Sequence, residues 1–174
     1  LYLYVPGAER ARAQILASGT AINAALEAQR LLAENHDVAV DVWSAPSFTE
    51  LRNDALEAER WNRLHPAQPA RRAYVTEQLE GRSGPVVAVT DYMKVVPEQV
   101  ARFVPQTFIP LGTDGYGRSD TRAALRRHFE TDAPSVAVAV LSGLAGDGML
   151  PAHEVGAALE QYGLETELPD PRVR

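Results

Sequence analysis

The sequence predicts an α/β domain, a mostly parallel sheet with helices on both faces. Three observations predict it. Short apolar runs alternate with longer stretches whose apolar residues recur at helical spacing. A turn rich in Ser, Gly, Thr or Asp follows each apolar run, where a strand would hand over to a helix. The chain has 174 residues, 45% apolar and 23% charged, which suits one folded domain rather than a disordered polymer.

The elements follow in order. Ala13-Gln14-Ile15-Leu16-Ala17-Ser18 reads as a buried strand, and Ser18-Gly19-Thr20 as the turn that caps the next helix. That helix spans 21–34, with Ala21, Ala25, Ala28 and Leu32 on one face, and Asn35-His36-Asp37 ends it. Val38 to Trp43 is a second strand, rich in β-branched residues. Ser47 and Glu50 have capping-box spacing, so a helix starts there. Residues 60–72 read as loop because of Pro66 and Pro69, and Tyr74 to Leu79 as a short helix.

Pro85 to Thr90 contains the clearest strand, and a helix is expected from Pro97 with Val96, Val100, Phe103 and Val104 inward. Phe108 to Leu111 is a fourth strand. The glycine-rich run Gly112-Thr113-Asp114-Gly115-Tyr116-Gly117 follows, and Ser119 or Asp120 caps a helix to about Glu130. Residues 135–141 alternate like a strand, yet Val136, Val140 and Leu144 also fit a helix that Asp132 caps ahead of Pro134. Ala152 to Tyr162 is helical, and the tail from Pro169 reads as loose.

Composition excludes several chemistries. There is no cysteine, so no disulfide, thiolate metal site or cysteine nucleophile exists. Lys94 is the one lysine available to a Schiff base. The net charge of −6 argues against a nucleic-acid binder. No apolar run is long enough for a membrane helix, and no secretory signal is legible. The start at Leu1 reads as a cytosolic protein or, preferably, a fragment of one.

In a parallel sheet the carboxyl ends of the strands share one edge, where ligands bind. Here that edge is Ser18-Gly19-Thr20, Ser44 to Ser47, Thr90-Asp91-Tyr92 and Gly112 to Ser119. The Gly112–Ser119 loop is the best candidate for an anion cradle, and a tight strand-to-helix turn is the plainer reading. It lacks the Gly-Lys-Ser/Thr of a Walker loop. His36, His65, His128 and His153 are scattered, which disfavours zinc. His128 beside Arg126 and Arg127 reads as a solvated face, and His65 before Pro66 as a loop contact. No Gly-x-Ser-x-Gly elbow exists. Gly146-Asp147-Gly148 imitates the start of a thiamine-diphosphate and magnesium motif. No Asn follows it in the remaining chain, so it reads as a helix stop.

Four ordered stretches carry a resemblance: Ser47-Phe48-Thr49-Glu50-Leu51, Glu59-Arg60-Trp61-Asn62-Arg63-Leu64-His65-Pro66, Thr90-Asp91-Tyr92-Met93-Lys94, and Leu111-Gly112-Thr113-Asp114-Gly115-Tyr116-Gly117-Arg118-Ser119-Asp120. Together they resemble the C-terminal domain of the homodimeric pyruvate dehydrogenase first component, over about residues 14–171. The resemblance implies a three-layer transketolase C-terminal fold with a five-stranded sheet, and it assigns residues 133–145 to a helix. It implies a lead-in segment at 1–12 from an upstream domain and the domain proper at 13–174.

The resemblance also implies a division of labour. The parent enzyme uses thiamine diphosphate and Mg to decarboxylate pyruvate. It then acetylates the lipoyl group of the dihydrolipoyl acetyltransferase second component, on the cytoplasmic route from glycolysis to acetyl-CoA. The cofactor and catalytic motifs belong to upstream domains, so no catalytic, cofactor-binding or metal residue carries over to this chain. A packing, dimerisation and docking role is implied instead. Ser47 and Glu50 start a helix, and Trp61 anchors the loop after it. Asp91 and Tyr92 secure the central strand end, and Gly112, Gly115, Gly117 and Ser119 shape the turn. The alternative is a stand-alone α/β domain binding a small anion at Gly112–Ser119.

Overall fold

A computed structural model of the chain describes residues 1–7 and 12–173. Five strands form one sheet in the order β1-β3-β2-β4-β5: β1 (Tyr2–Val5), β2 (Ala13–Ala17), β3 (Val40–Ser44), β4 (Val86–Val89) and β5 (Phe108–Leu111). Strands β2 to β5 are parallel, and β1 runs antiparallel along β3. Residues 2–5, within the segment read as a lead-in, therefore supply an edge strand of this sheet. Residues 8–11 of that segment lie outside the described residues.

Side-chain alternation sends each strand's residues to two cores. Ala13, Ile15, Val40, Val42, Val87 and Val89 face α1 (Ile22–His36), α6 (Ala133–Gly146) and α7 (Ala152–Gln161). Leu16, Trp43, Val86 and Ala88 face α2 (Phe48–Leu64) and α3 (Tyr74–Leu79). The expected three-layer α/β architecture, with helices on both faces, is the one observed.

The ambiguous segment 135–141 is helix α6. Asp132 caps it, with Oδ1 accepting from Ser135 N at 3.1 Å, and Pro134 occupies the first turn. Its Val/Ala alternation misleads because α6 is sandwiched between the sheet, α1 and α7, so apolar residues are needed around most of its circumference. Gly143 brings it close: a Cβ there would lie 2.8 Å from the Pro85 ring. Asp132→Ala is expected to cost about 1–2 kcal/mol, read as a lower urea midpoint with unchanged m-value. An unchanged midpoint would show that the cap does not hold α6.

Three local expectations need correction. Helix α2 runs through Leu64 into the predicted loop and stops at His65, which Pro66 excludes from helical geometry. The helix expected from Pro97 is one turn, α4 (Val95–Glu98), and a separate 3-10 turn at Ala101–Phe103. Backbone bonds from Val100 N to Pro97 O and from Phe103 N to Val100 O tighten that path, which still buries Val100 and Val104. Helix α5 (Arg122–His128) starts later than expected. Thr121, not Ser119 or Asp120, is its cap, accepting from Ala124 N at 3.2 Å, and Glu130 at φ +57° follows its end.

Candidate functional site

The order β3-β2-β4 makes the sheet switch direction between β2 and β4, the place where an open α/β sheet forms its crevice. The four turns expected to gather do so, because β2 to β5 are parallel. Ser18 and Thr90, both buried, bridge the crevice with their hydroxyls 2.8 Å apart. Thr20 Oγ1 donates to Asp91 Oδ2 at 2.5 Å, and Arg126 Nη2 donates to Thr20 Oγ1 at 3.0 Å. Ser18 and Thr20 were expected to cap a helix. Ser18 stands at the cap of the 3-10 turn Gly19–Ala21 ahead of α1, but neither side chain makes a capping bond, because the strands bring the Thr90-Asp91 turn within reach of both.

The glycine-rich loop folds onto the same turn. Thr113 N donates to Tyr92 O and Thr113 Oγ1 to Asp91 O, both at 2.8 Å. Lys94 N donates to Asp114 Oδ1 at 2.8 Å, and Thr121 N to Asp120 Oδ1 at 2.7 Å. An anion cradle needs free N–H groups, and of this loop's own donors the Thr113 N–H is taken by Tyr92 O. The loop's bonds to the 91–94 segment are those of a strand-to-helix turn.

The glycines of this loop differ. Gly112 lies beneath the 92–94 turn, where a Cβ would overlap Tyr92 O and come within 2.9 Å of Lys94 N. Gly115 has φ +115°, and a Cβ there would lie 2.6 Å from Pro171 O. Gly117 has neither constraint. The expected loose tail is thus seated here, with Pro171 buried against Gly115 and the Arg172 guanidinium holding the Asp170 carboxyl down at about 2. Gly112→Ala and Gly115→Val are expected to lower stability by about 1–3 kcal/mol each, and Gly117→Ala by under about 0.5 kcal/mol. Equal melting temperatures for all three would remove the close-approach argument.

Apolar side chains project from this edge. Tyr92, Met93, Val95 and Tyr116 are 62%, 57%, 54% and 86% exposed. Beside it, a cleft of about 820 Å³ separates α5 from α6 and β5, with Ile109, Leu125, Val138 and Leu159 in its lining. His128 lines this cleft half-buried, with Arg118 Nη1 3.0 Å from its Nδ1, rather than sitting on a solvated face.

The remaining singled-out residues lie elsewhere. Ser47 Oγ accepts from Glu50 N at 3.1 Å, while the Glu50 carboxylate accepts from Asn53 Nδ2 rather than reaching back. Trp61 stacks on His65, centroids 4.5 Å apart, and Arg71 lies 4.2 Å over its ring. Sequence reasoning missed Asn62, which grips Arg71 through both its N–H and its carbonyl. It also missed Gln14, buried beneath Trp43, and Arg126, which no local pattern distinguishes.

Gly146-Asp147-Gly148 does not fit a magnesium diphosphate. Asp147 terminates α6, where carbonyls converge, and its Oδ1 accepts from Thr107 Oγ1 at 2.7 Å. No group of three or more His, Asp or Glu suited to a metal occurs among the described residues.

A switched parallel sheet with one antiparallel edge strand, flanked by helices, defines the class, and comparison with known families agrees: residues 1–132 match the transketolase-like TK C-terminal domain, and the chain belongs to that family. Solved structures share the fold, among them transketolase from Leishmania mexicana, with TM-score 0.55, 23% identity and coverage of 86% of this chain and 19% of that one. A split-gene transketolase described as an inactive beta4 tetramer gives TM-score 0.54 at 22% identity, covering 79% of this chain and 40% of that one. Within the family, the chain is similar to the pyruvate dehydrogenase E1 component of Mycolicibacterium smegmatis, 52% identical over 95% of this chain and 18% of the relative. The E1 components of Mycobacterium tuberculosis and Escherichia coli K12 are 52% and 41% identical, over 88% and 94% of this chain and 17% and 18% of theirs. The chain thus spans about a fifth of the length of these relatives. Among the described residues, no helix is long and apolar enough to cross a membrane.

Proposed function

We propose that this chain is the C-terminal assembly domain of a pyruvate dehydrogenase E1 component. The observation that carries the reading is 52% identity to an E1 component along 95% of this chain. In the parent, thiamine diphosphate and Mg supply the chemistry that decarboxylates pyruvate, and the acetyl group passes to the lipoyl arm of the acetyltransferase. Residues upstream of this domain hold that cofactor, and this domain serves packing and homodimer formation in the cytoplasm.

The carboxyl edge supports an assembly role. The Ser18 and Thr90 hydroxyls pair with each other, Thr20 with Asp91 and Lys94 N with Asp114, while Tyr92, Met93, Val95 and Tyr116 stand outward as an interface would require. The test replaces the matching segment of the M. smegmatis E1 component with this chain. The chimera is expected to dimerise and to acetylate the lipoyl domain, while this chain alone, given thiamine diphosphate, Mg and pyruvate, releases no carbon dioxide above background. Turnover by the chain alone, or a folded chimera that neither dimerises nor turns over, overturns the reading.

A further inference from the structure

Charge is unevenly distributed over this acidic chain. Residues 60–76 hold Arg60, Arg63, His65, Arg71 and Arg72 and no Asp or Glu, although the net charge is −6. Arg72 is paired with Glu80. Arg60 and Arg63 have no ion pair among the described residues, and Arg71 is held over the Trp61 ring. Arg60, Arg63 and Leu64 stand at i, i+3 and i+4 of α2 and so share a face, with Leu64 53% exposed.

The mount is rigid. Asn62 Oδ1 accepts from Arg71 N at 2.7 Å and its Nδ2 donates to Arg71 O at 2.8 Å, which closes the loop after α2. His65 stacks on Trp61 with its Nδ1 2.9 Å from Trp61 O. Downstream, Asp54 Oδ2 accepts from Tyr74 N at 2.7 Å. These contacts order the loop and hold Arg71 over Trp61 beside the helical face that carries Arg60 and Arg63, which lowers the ordering cost of binding an anion at Arg71.

We propose that this surface docks an acidic segment of a partner protein. Carboxylates engage Arg60, Arg63 and Arg71, and an apolar side chain of the segment covers Leu64. The composition favours a polypeptide. Arginine forks match carboxylates, and arginine beside tryptophan and leucine is the make-up of a protein interface. Nucleic acid is disfavoured, because the Trp61 ring is already engaged by His65 and Arg71, and the net negative charge repels a long polyanion. The proposal does not depend on the E1 reading.

The test uses a fluorescein-labelled hexapeptide, Glu-Leu-Glu-Glu-Leu-Glu, and the same peptide with Gln for Glu, titrated with the 174-residue chain. The Glu peptide is expected to bind at least about tenfold more tightly than the Gln peptide, with affinity falling as salt rises from about 50 to about 300 mM. R60E/R63E is expected to lose about tenfold or more while keeping its melting temperature, because both side chains are on the surface. Binding should perturb tryptophan emission in the parent chain and not in Trp61→Phe. No binding of the Glu peptide, equal binding of the two peptides, or indifference to R60E/R63E overturns the proposal. So does tighter binding of a thymidine oligonucleotide that R60E/R63E abolishes. Self-association of the chain that R60E/R63E abolishes would assign the surface to a second copy and equally overturn it.

Discussion

Gly84→Val is expected to remove about 3 kcal/mol or more of stability, or to prevent soluble expression. Gly84 has φ +71°, and a Cβ there would overlap the Arg12 carbonyl oxygen and lie 2.8 Å from its carbon. The obstruction is backbone, so no rotamer change relieves it. Both residues sit just before strands: Arg12 N donates to Ala39 O, and Gln14 N to Pro85 O. A side chain at Gly84 would thus wedge β4 from β2, the central pair of the sheet. Gly81→Ala is the control. It has φ +73° but open space around it, so conformational strain alone applies, about 1 kcal/mol. Thermal melts of the two variants separate strain from overlap, and equal losses would refute the wedge.

Trp43→Ala is expected to cost about 3–5 kcal/mol, as for other large core truncations. Trp43 is 1% exposed and anchors the core on the α2–α3 face of the sheet. Its Nε1 donates to Gln14 Oε1 at 2.9 Å, and Gln14 Nε2 donates to Ser83 O at 3.2 Å. The pair links β3 through β2 to the segment ahead of β4. Gln14→Leu alone strands the indole N–H in the core and should cost about 1–3 kcal/mol. Trp43→Phe alone strands Gln14 Oε1. The double variant Gln14→Leu/Trp43→Phe removes both polar partners and should be more stable than the sum of the two losses predicts. Strict additivity in urea denaturation would mean that the hydrogen bond is not a coupled unit.

Much of the fold was legible because it depends on local pattern. The strands at Val86–Val89 and Phe108–Leu111 are apolar runs of strand length bounded by turn residues, and the structure places them there. The Ser47 cap was readable because a cap is satisfied within one turn. The 95–104 stretch was misread for the converse reason. Helical spacing of Val96, Val100 and Val104 is equally served by two short turns, and the periodicity does not reveal the break between them. The site was legible only as a list of strand ends.

Unaided, the sequence determined the layer architecture, the parallel sense of the sheet and the edge on which the turns collect, because alternation of buried strands and amphipathic helices has few other solutions. Tertiary structure decided which side chains meet on that edge and which glycines are indispensable. Thr20 meets Asp91, Gly84 meets Arg12, and Gly115 meets Pro171, each pair brought together from far apart in the chain. The first two encounters follow from β2 lying beside β4 and the third from the return of the chain after α7, and a pattern read within one turn of chain carries no record of either.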